Sequence, residues 1–164
     1  MYYKDKMEEL KGLFGEKVEI IKTNVGEIII EVLDKKDIVK VMKILKDHTG
    51  LEYKGIVDIT CVDYKDRMKM VYELLSIRNS MRIRVRSELR KEESVEIESI
   101  SGVFKGADWL EREVYDMFGV YFINHKDLRR LLTDYGFKGN ALKKDFKGGY
   151  EVKYDEEKKV VKAY

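Results

Sequence analysis

Three β-rich runs that follow one another through short turns constrain the fold of this chain more than any other feature. They cover residues 56–63, 68–77 and 82–86, with turn residues such as Asp66 and Asn79 between them. Runs rich in β-branched residues and bounded by turn residues are typical of strands. The middle of the chain is therefore predicted to supply three successive strands of one sheet, which needs a covering layer.

Two amphipathic helices and a hairpin are predicted ahead of these strands. The first helix ends near Gly15, and the second begins after Asp34 and ends at residues 48–50. Runs 18–21 and 27–33 predict the hairpin. The apolar positions of the two helices are Met7, Leu10, Leu13, Phe14, Ile38, Val41, Met42 and Leu45. The order helix, two strands, helix, three strands indicates an α+β fold, a two-layer α/β sandwich with its helices on one face of the sheet.

The sequence pattern changes at about residue 100, from regular helix and strand patterns to a mostly loop-rich pattern. Residues 1–100 are predicted to form the sandwich domain, and residues 101–164 a C-terminal part that docks on a partner. That part carries one short helix (residues 108–118), followed by an extended, loop-rich segment. Between residues 125 and 149, seven basic residues stand against three aspartates, which leaves four positive charges. Such a segment has little core of its own and is expected to run along a surface.

Composition narrows the classes of function. The 164 residues include 33 Lys and Arg against 31 Asp and Glu, and a net charge of +2 argues against a general binder of polyanions. The single cysteine, Cys61, excludes an internal disulfide framework and fits a reducing compartment. No apolar run approaches the roughly 18–20 residues that cross a bilayer, so no membrane span is expected. The N-terminus carries acids and lacks an apolar core, unlike a signal peptide or a typical transit peptide.

Motifs for metal, nucleophilic or nucleotide chemistry are missing. The two histidines, His48 and His125, lie far apart, and no CxxC, HExxH or EF-hand pattern occurs, so a structural zinc or an iron–sulfur cluster is not predicted. Cys61 lies inside an apolar run, where a cysteine is more often a small buried hydrophobic residue than a nucleophile. Neither the GxGxxG nor the Walker A pattern occurs, so no nucleotide-binding loop is predicted.

Arg82, Arg84 and Arg86 alternate along one strand and are predicted to share one face of it. A nucleic-acid reader could use such a face. The acids that follow at once would cancel its field, and they are Glu88, Glu92, Glu93, Glu96 and Glu98. Exposed or interface-paired arginines are the preferred interpretation, and an independent nucleic-acid-binding protein is the less favoured one.

The stretch ADWLEREVYDMFG packs five charges around a Trp, a Tyr and a Phe. Asp108 with Glu111 three residues later resembles a capping box, and Gly119 predicts the end of the helix. Asp108, Arg112 and Asp116 are spaced four apart, which predicts a ladder with one arginine between two aspartates. Each acid is then expected to have an arginine within reach and to stay ionised, unlike an acid–base pair. The preferred interpretation is a helix clamped to its own domain and to a partner chain.

The same stretch, extended to ADWLEREVYDMFGVYF, carries a family resemblance together with HKDLRRLLTDYGFKG and KKDF farther on. The upstream runs DITCVDY and YELLS and the closing residues 150–161 fit the same pattern. The chain resembles the 30 kDa subunit (subunit 9) family of respiratory complex I over roughly residues 55–161.

This resemblance implies a cofactor-free, peripheral-arm subunit of the quinone module of proton-pumping NADH:ubiquinone oxidoreductase. The chain would scaffold the large 49-kilodalton subunit near the quinone site and carry no catalytic residue, while FMN, iron–sulfur clusters and quinone belong to partner subunits. It would lie on the matrix side of the mitochondrial inner membrane, or on the cytoplasmic side of a bacterial inner membrane. The alternative function is the homologous small subunit of a membrane-bound hydrogenase or formate-hydrogenlyase-type complex.

Helix 108–118 has polar and aromatic groups on nearly every side, more than one domain can satisfy, and this indicates contact with a partner. Its aromatic residues are expected at the interface, and Arg112, Arg129 and Arg130 are expected to pair with partner carboxylates. The expected interface residues are Trp109, Glu111, Arg112, Glu113, Tyr115, Asp116, Phe118, Asp127, Arg129, Arg130, Asp134, Tyr135, Lys144 and Asp145.

Overall fold

A computed structural model describes residues 2–134, 136–148, 152–155 and 160–163 of the chain. The described helices are α1 (Tyr2–Phe14), α2 (Ile38–Asp47) and α3 (Ala107–Phe118). The described strands are β1 (Val18–Lys22), β2 (Ile28–Val32), β3 (Gly55–Asp63), β4 (Arg67–Ser76), β5 (Met81–Arg90), β6 (Glu96–Glu98), β7 (Tyr121–Ile123), β8 (Val152–Asp155) and β9 (Val160–Ala163). The predicted α+β sandwich and the order of its elements are confirmed.

The first five strands form one sheet in the order β1-β2-β5-β4-β3. β1 and β2 are the predicted hairpin, and β3, β4 and β5 pair as antiparallel neighbours. β2 and β5 join these two groups in parallel, with Ile30 opposite Val85. Parallel neighbours need a long crossover, which the segment from α2 to β4 supplies.

Alternation along the central strands separates the two faces of the sheet. β4 buries every second residue from Met68 to Ser76, and β5 does so from Ile83 to Leu89. These buried residues share one core with the apolar stripes of α1 and α2, in which Leu10 is fully buried. The helices therefore cover one face of the sheet, as the spacing of their apolar residues predicts.

The opposite face of the sheet carries cross-strand ion pairs. Arg84, one of the three arginines predicted to share a face, pairs with Glu73 of β4. Lys69 of β4 bridges Glu31 of β2 at 3.0 Å and Glu88 of β5 at 2.9 Å. Charges of both signs alternate across this face, so it presents no uniform positive field to a polyanion.

A βαβ unit follows the large sheet, and its two strands were not predicted. β6 and β7 pair in parallel, with Ile97 opposite Phe122, and α3 forms the crossover between them. Val114 of α3 and both of these strand residues belong to the same core as the sandwich. Apolar residues from both sides of residue 100 thus pack together, and the division of the chain at that residue stays a prediction.

Residues 126–148, here called the strap, contain no helix or strand in their described part, which agrees with the predicted loop-rich segment. β8 and β9 form an antiparallel hairpin that was not predicted. Across the described ranges, no helix has the length and apolar character that a bilayer crossing requires.

Candidate functional site

The start of α3 differs from the predicted capping box of Asp108 and Glu111, which is wrong. The helix begins at Ala107, and no side chain caps its N-terminus. The Glu111 carboxylate instead accepts hydrogen bonds from the Ile100 backbone N–H at 2.7 Å and the Ser99 hydroxyl at 2.6 Å. The turn before α3 offers these donors to a buried acid, whereas a capping glutamate would have to stay at the helix surface.

The predicted ladder, in which Arg112 joins Asp108 to Asp116, does not form. The Arg112 guanidinium donates to the backbone carbonyls at 129–130, at 3.3 and 3.4 Å, and lies over the Trp109 ring, 4.9 Å from its centroid. An exposed pair spaced four residues apart stabilises a helix by only about 0.2–0.5 kcal/mol. Strap carbonyls and an indole face are the stronger partners.

Asp116 is the residue of α3 that anchors the strap. Its side chain is fully buried. Oδ2 accepts hydrogen bonds from the successive backbone N–H groups of residues 131–133, at 3.0, 2.7 and 2.9 Å. Oδ1 accepts from Arg130 Nη1 at 2.7 Å and from the Thr133 hydroxyl. One carboxylate thus collects five donors from the strap.

The pKa of Asp116 is lowered to about 2. Burial alone would raise it, but the hydrogen bonds from the Thr133 hydroxyl and the amides of residues 131–133 outweigh the burial. Asp116 is therefore ionised at neutral pH, as predicted. The arginine that reaches it is Arg130 of the strap rather than Arg112 of its own helix.

The C-terminus of α3 gives the strap another contact. Gly119 ends the helix in the left-handed conformation, with φ 72°, as its position predicts. The Asn140 side chain donates to the carbonyl oxygen of Asp116 at 3.0 Å and lies against Gly119, where a Cβ atom would come within 2.5 Å of it. A side chain at position 119 would therefore displace the Asn140 amide.

Glu111 contradicts the expectation that every acid of α3 has an arginine within reach. Its side chain is completely buried, and the ionisable partner beside it is His125, whose Nε2 lies 3.7 Å from Oε2. Burial raises the pKa of Glu111 to about 7, although the hydrogen bonds from Ser99 and Ile100 oppose the shift. A pKa near 7 is common among catalytic acids. Glu111, however, has no exposed surface at which a substrate could reach it.

Hydrogen bonds assign the tautomer of His125. Nδ1 accepts from the Asp127 backbone N–H at 3.1 Å, so the ring proton is on Nε2. That nitrogen lies 3.1 Å from both the backbone carbonyl oxygen and Oδ1 of Asp108. The oxygens nearest to Nε2 thus belong to Asp108 rather than to Glu111.

Asp63, the last residue of β3, anchors the strap to the sheet. Its nearly buried carboxylate accepts from the Lys144 backbone N–H at 2.8 Å and pairs with Lys91. Burial raises the pKa of Asp63, but these two bonds and the nearby lysines lower it overall. The Tyr64 ring adds a contact, because the Lys144 ammonium lies 5.9 Å from its centroid. The strap is thus held by a carboxylate at each end.

Cys61 is buried, as predicted, and burial raises the pKa of its thiol to about 12. The thiol is therefore protonated at neutral pH and a poor nucleophile. In the described part of the chain, no three His, Cys, Asp or Glu side chains are arranged to hold a metal ion.

The structure divides the predicted interface residues by exposure, and their contact with a partner stays a prediction. The exposed ones are Trp109, Glu113, Asp127, Arg129, Asp134, Lys144 and Asp145. The half-buried ones are Tyr115, Phe118 and Arg130. The buried ones are Glu111, Arg112 and Asp116. Tyr135 lies outside the described residues.

The partners of these residues were missed by sequence reasoning. Ser99 and Ile100 bind Glu111, and Thr133 and Asn140 bind the end of α3. Four of the seven groups that donate to the Glu111 and Asp116 carboxylates are backbone N–H groups, which every residue except proline carries, so they leave no sequence signal. Asn140, beside the glycine-rich part of the strap, is the one residue type that suggests a backbone contact.

Comparison with known proteins relates the chain to one family. The family "Respiratory-chain NADH dehydrogenase, 30 Kd subunit" matches residues 31–152. NADH-ubiquinone oxidoreductase subunit 9 of Reclinomonas americana is 46% identical over 83% of this chain and 68% of its own length. The probable NADH-ubiquinone oxidoreductase 30.4 kDa subunit, mitochondrial, of Candida maltosa is 50% identical over 74% of this chain. The NADH dehydrogenase [ubiquinone] iron-sulfur protein 3, mitochondrial, of Candida albicans is 49% identical over 74% of it.

The chain spans about two thirds of the Reclinomonas protein but only 45% of each Candida protein. Among solved structures, a trypsin-resistant fragment (1–134) of Nqo5 has a TM-score of 0.63 at 24% identity, covering 78% of this chain and all of the fragment. A chain of an archaeal respiratory membrane complex, the membrane-bound sulfane sulfur reductase, has a TM-score of 0.70 at 19% identity, covering 82% of this chain and 79% of its own. These two likenesses establish the fold. The match over residues 31–152 and the identity to the curated relatives show that the chain belongs to the 30 kDa subunit family of the respiratory-chain NADH dehydrogenase.

Proposed function

We propose that this chain is a peripheral-arm, quinone-module subunit of proton-pumping NADH:ubiquinone oxidoreductase that scaffolds the 49-kilodalton subunit near the quinone site. It binds no cofactor, and FMN, the iron–sulfur clusters and quinone belong to partner subunits. Relatives named as NADH-ubiquinone oxidoreductase subunits support the choice of complex over a hydrogenase-type one. The mitochondrial names of the Candida relatives support a place at the inner membrane, which we propose is on its matrix side.

The exposed Trp109 is the observation that carries the scaffold function. Its side chain is 60% exposed, although the helix around it is buried on several sides and fixed by hydrogen bonds. Tryptophan and arginine are enriched among the residues that dominate binding at protein interfaces. Trp109 with Arg112 over its ring is such a pair, and it is held on a rigid element, which lowers the entropy cost of binding.

Buried titratable groups support a structural role for this chain rather than a catalytic one. The pKa values of Cys61, Tyr72, Glu111 and Asp116 shift strongly, and all four residues are buried. The Glu111 carboxylate accepts its hydrogen bonds from the turn before α3, and the Asp116 carboxylate accepts its hydrogen bonds from the strap. Their shifts are therefore accounted for by the packing of the chain.

Purification of the assembled complex from the native host through a tag on this chain tests the proposal. We expect flavin-containing, NADH-oxidising subunits and the 49-kilodalton subunit to copurify, with cross-links that join the latter to the strap or to α3. A nickel–iron large subunit in place of the NADH-oxidising subunits would establish the hydrogenase alternative. Recovery of this chain without either set would refute the scaffold function.

Substitution at the exposed tryptophan gives a second test. Trp109→Ala is expected to weaken assembly by about 2 kcal/mol or more, because truncation of a central interface tryptophan commonly costs that much. The control is Ile77→Ala, which removes another exposed apolar side chain (79% exposed) from the turn between β4 and β5. Equal effects of the two substitutions would contradict a special role for α3.

A further inference from the structure

We infer that the partner presents an arginine to the exposed side of α3, the side that carries Trp109 and Glu113. Its guanidinium lies against the Trp109 indole, and its charge pairs with the Glu113 carboxylate. This inference rests on the proposed function and deepens it, since it names the chemical group that the partner must bring to the interface.

Glu113 is the acid of α3 to which the described residues give no partner. Asp108 meets His125, and the two buried acids are bound by the turn before the helix and by the strap. Glu113 is exposed, and among the described residues its carboxylate has neither a hydrogen-bond nor an ion-pair partner. Its charge is therefore available to a cation that comes from outside the described part of the chain.

Helical spacing explains why α3 itself does not neutralise this carboxylate. Residues three and four positions apart are neighbours on a helix surface. For Glu113 these positions are occupied by Trp109, Leu110, Asp116 and Met117, none of which is basic. Arg112, the basic residue next to it in sequence, turns toward the strap carbonyls and the tryptophan ring.

Trp109 lies one turn before Glu113 and supplies the second half of the site. Arg112 lies over the indole, with its guanidinium carbon 4.9 Å from the ring centroid, so part of the ring is covered from within the chain. The side chain is nevertheless 60% exposed. Residues four apart on a helix have Cβ atoms about 5–6 Å apart, so one planar cation can touch both the indole and the carboxylate.

Arginine fits this pair of groups better than lysine does. Its guanidinium is flat, stacks on aromatic rings and presents a fork of N–H groups that matches a carboxylate. A lysine ammonium is a strongly hydrated point charge and cannot stack and form a bidentate pair at once. The exposed indole beside an unpaired carboxylate therefore selects a guanidinium.

The experiment is photo-cross-linking in the assembled complex, with Trp109→p-benzoylphenylalanine as the probe. The expected product joins position 109 to a peptide of a partner subunit, with an arginine at or next to the cross-linked residue. A cross-linked partner peptide without arginine would overturn the inference and leave the scaffold function intact. A cross-link to residues 149–164 of the same chain would also overturn it, because the cation would then be internal.

Charge exchange then tests the pairing. Glu113→Arg is expected to lower the assembled fraction roughly tenfold or more, as expected when one partner of a buried charge pair is lost. The reverse change of the cross-linked arginine to glutamate should restore assembly, and its change to lysine in the wild-type background should weaken it. Failure of the exchange to restore assembly would refute the pairing.

Two further variants separate pairing from folding. Glu8→Arg is the matched control, because Glu8 is an exposed helix glutamate on α1 and should leave assembly unchanged. Glu113→Gln removes the charge at nearly constant shape and should leave the thermal stability of the isolated chain unchanged while it weakens assembly. If wild-type chain fails to copurify with any NADH-oxidising subunit, the proposed function itself fails.

Discussion

The sandwich and the strap are stabilised by opposite means. The sandwich distributes its stability over many alternating apolar side chains, and the ion pairs on its outer face are partly exposed. The strap has no regular structure in its described part, and Leu128 is its one described hydrophobic side chain packed against the core. Asp116 and Asp63 hold it instead, the first by accepting three backbone N–H groups from it and the second by accepting one. The sandwich thus depends on many apolar contacts, whereas the two carboxylates supply most of the backbone anchoring of the strap.

Loss of the Asp116 carboxylate should give the largest effect. It tests most directly whether the strap is stabilised separately from the sandwich. Asp116→Ala leaves Arg130 and three strap amides without their acceptor, which is expected to cost roughly 3–5 kcal/mol. Hydrogen exchange of residues 126–148 should become fast while the β4 and β5 amides stay protected. Asp134→Ala, at an exposed strap aspartate, is the control and should change neither. Equal loss of protection in strap and sheet would show that the two regions do not open separately.

Glu111 should give the next largest effect, seen as a pH dependence opposite to that of Asp116. Its folded pKa of about 7 lies above its ordinary value of 4.5, so the folded state binds more protons between these pH values. The free energy of unfolding should therefore fall as pH rises from 4.5 to 7, by on the order of 3 kcal/mol from this group. The stability that Asp116 contributes is instead lost as pH falls from about 4 to about 2, since its folded pKa is depressed.

Glu111→Gln isolates this dependence. The difference in the free energy of unfolding between the variant and the wild type, measured by urea denaturation, should grow in favour of the variant from pH 4.5 to 8. The two proteins should be nearly equally stable at the acid end, where Glu111 is protonated in both the folded and the unfolded wild type. A difference that stays constant with pH would contradict a raised pKa for Glu111.

Asp63 connects the two regions, and its loss should give an intermediate effect. Asp63→Asn keeps the shape but weakens the pair with Lys91 and the bond from the Lys144 amide, at an expected cost of about 1–2 kcal/mol. Exchange of the amides at 143–146 should accelerate, and that of residues 131–133 should not. Acceleration along the whole strap would show that its two anchors act as one unit.

The smallest effect is expected on the outer face of the sheet. Glu73→Gln removes the cross-strand partner of Arg84, and both side chains are nearly 30% exposed. Pairs of this kind contribute about 0.2–1 kcal/mol, so the midpoint of urea unfolding should move only slightly. A loss as large as that for Asp63→Asn would erase the proposed distinction between exposed side-chain pairs and buried carboxylates bound to backbone.

The same contrast separates what could be predicted from the sequence and what could not. Periods of two and 3.6 residues predicted the sandwich, because apolar side chains decide its packing. The motif-rich stretch around Trp109 predicted the family. The capping box and the ladder failed because helical spacing considers only partners on the same helix. The turn at Ser99 and the strap amides are distant in sequence and compete for the same acids.

Short parallel strands were beyond prediction for a related reason. β6 and β7 are too short for alternation to be recognised, and the whole of α3 with its flanking turns lies between them. The pairing depends on α3 lying against the core, which only the folded chain determines. Glu111 follows the same rule, since its raised pKa arises from burial that no local pattern indicates.

The backbone N–H groups around Asp116 determine which sequence changes the strap can accept during evolution. Three of its five donors are main-chain groups of residues 131–133, so leucines at the first two positions can be exchanged without loss of a donor. Proline is the exception, and the chain contains none. Deletion of a single residue between α3 and Thr133 would move the wrong amides opposite the carboxylate. The strap is thus expected to tolerate substitution and to resist any change in length.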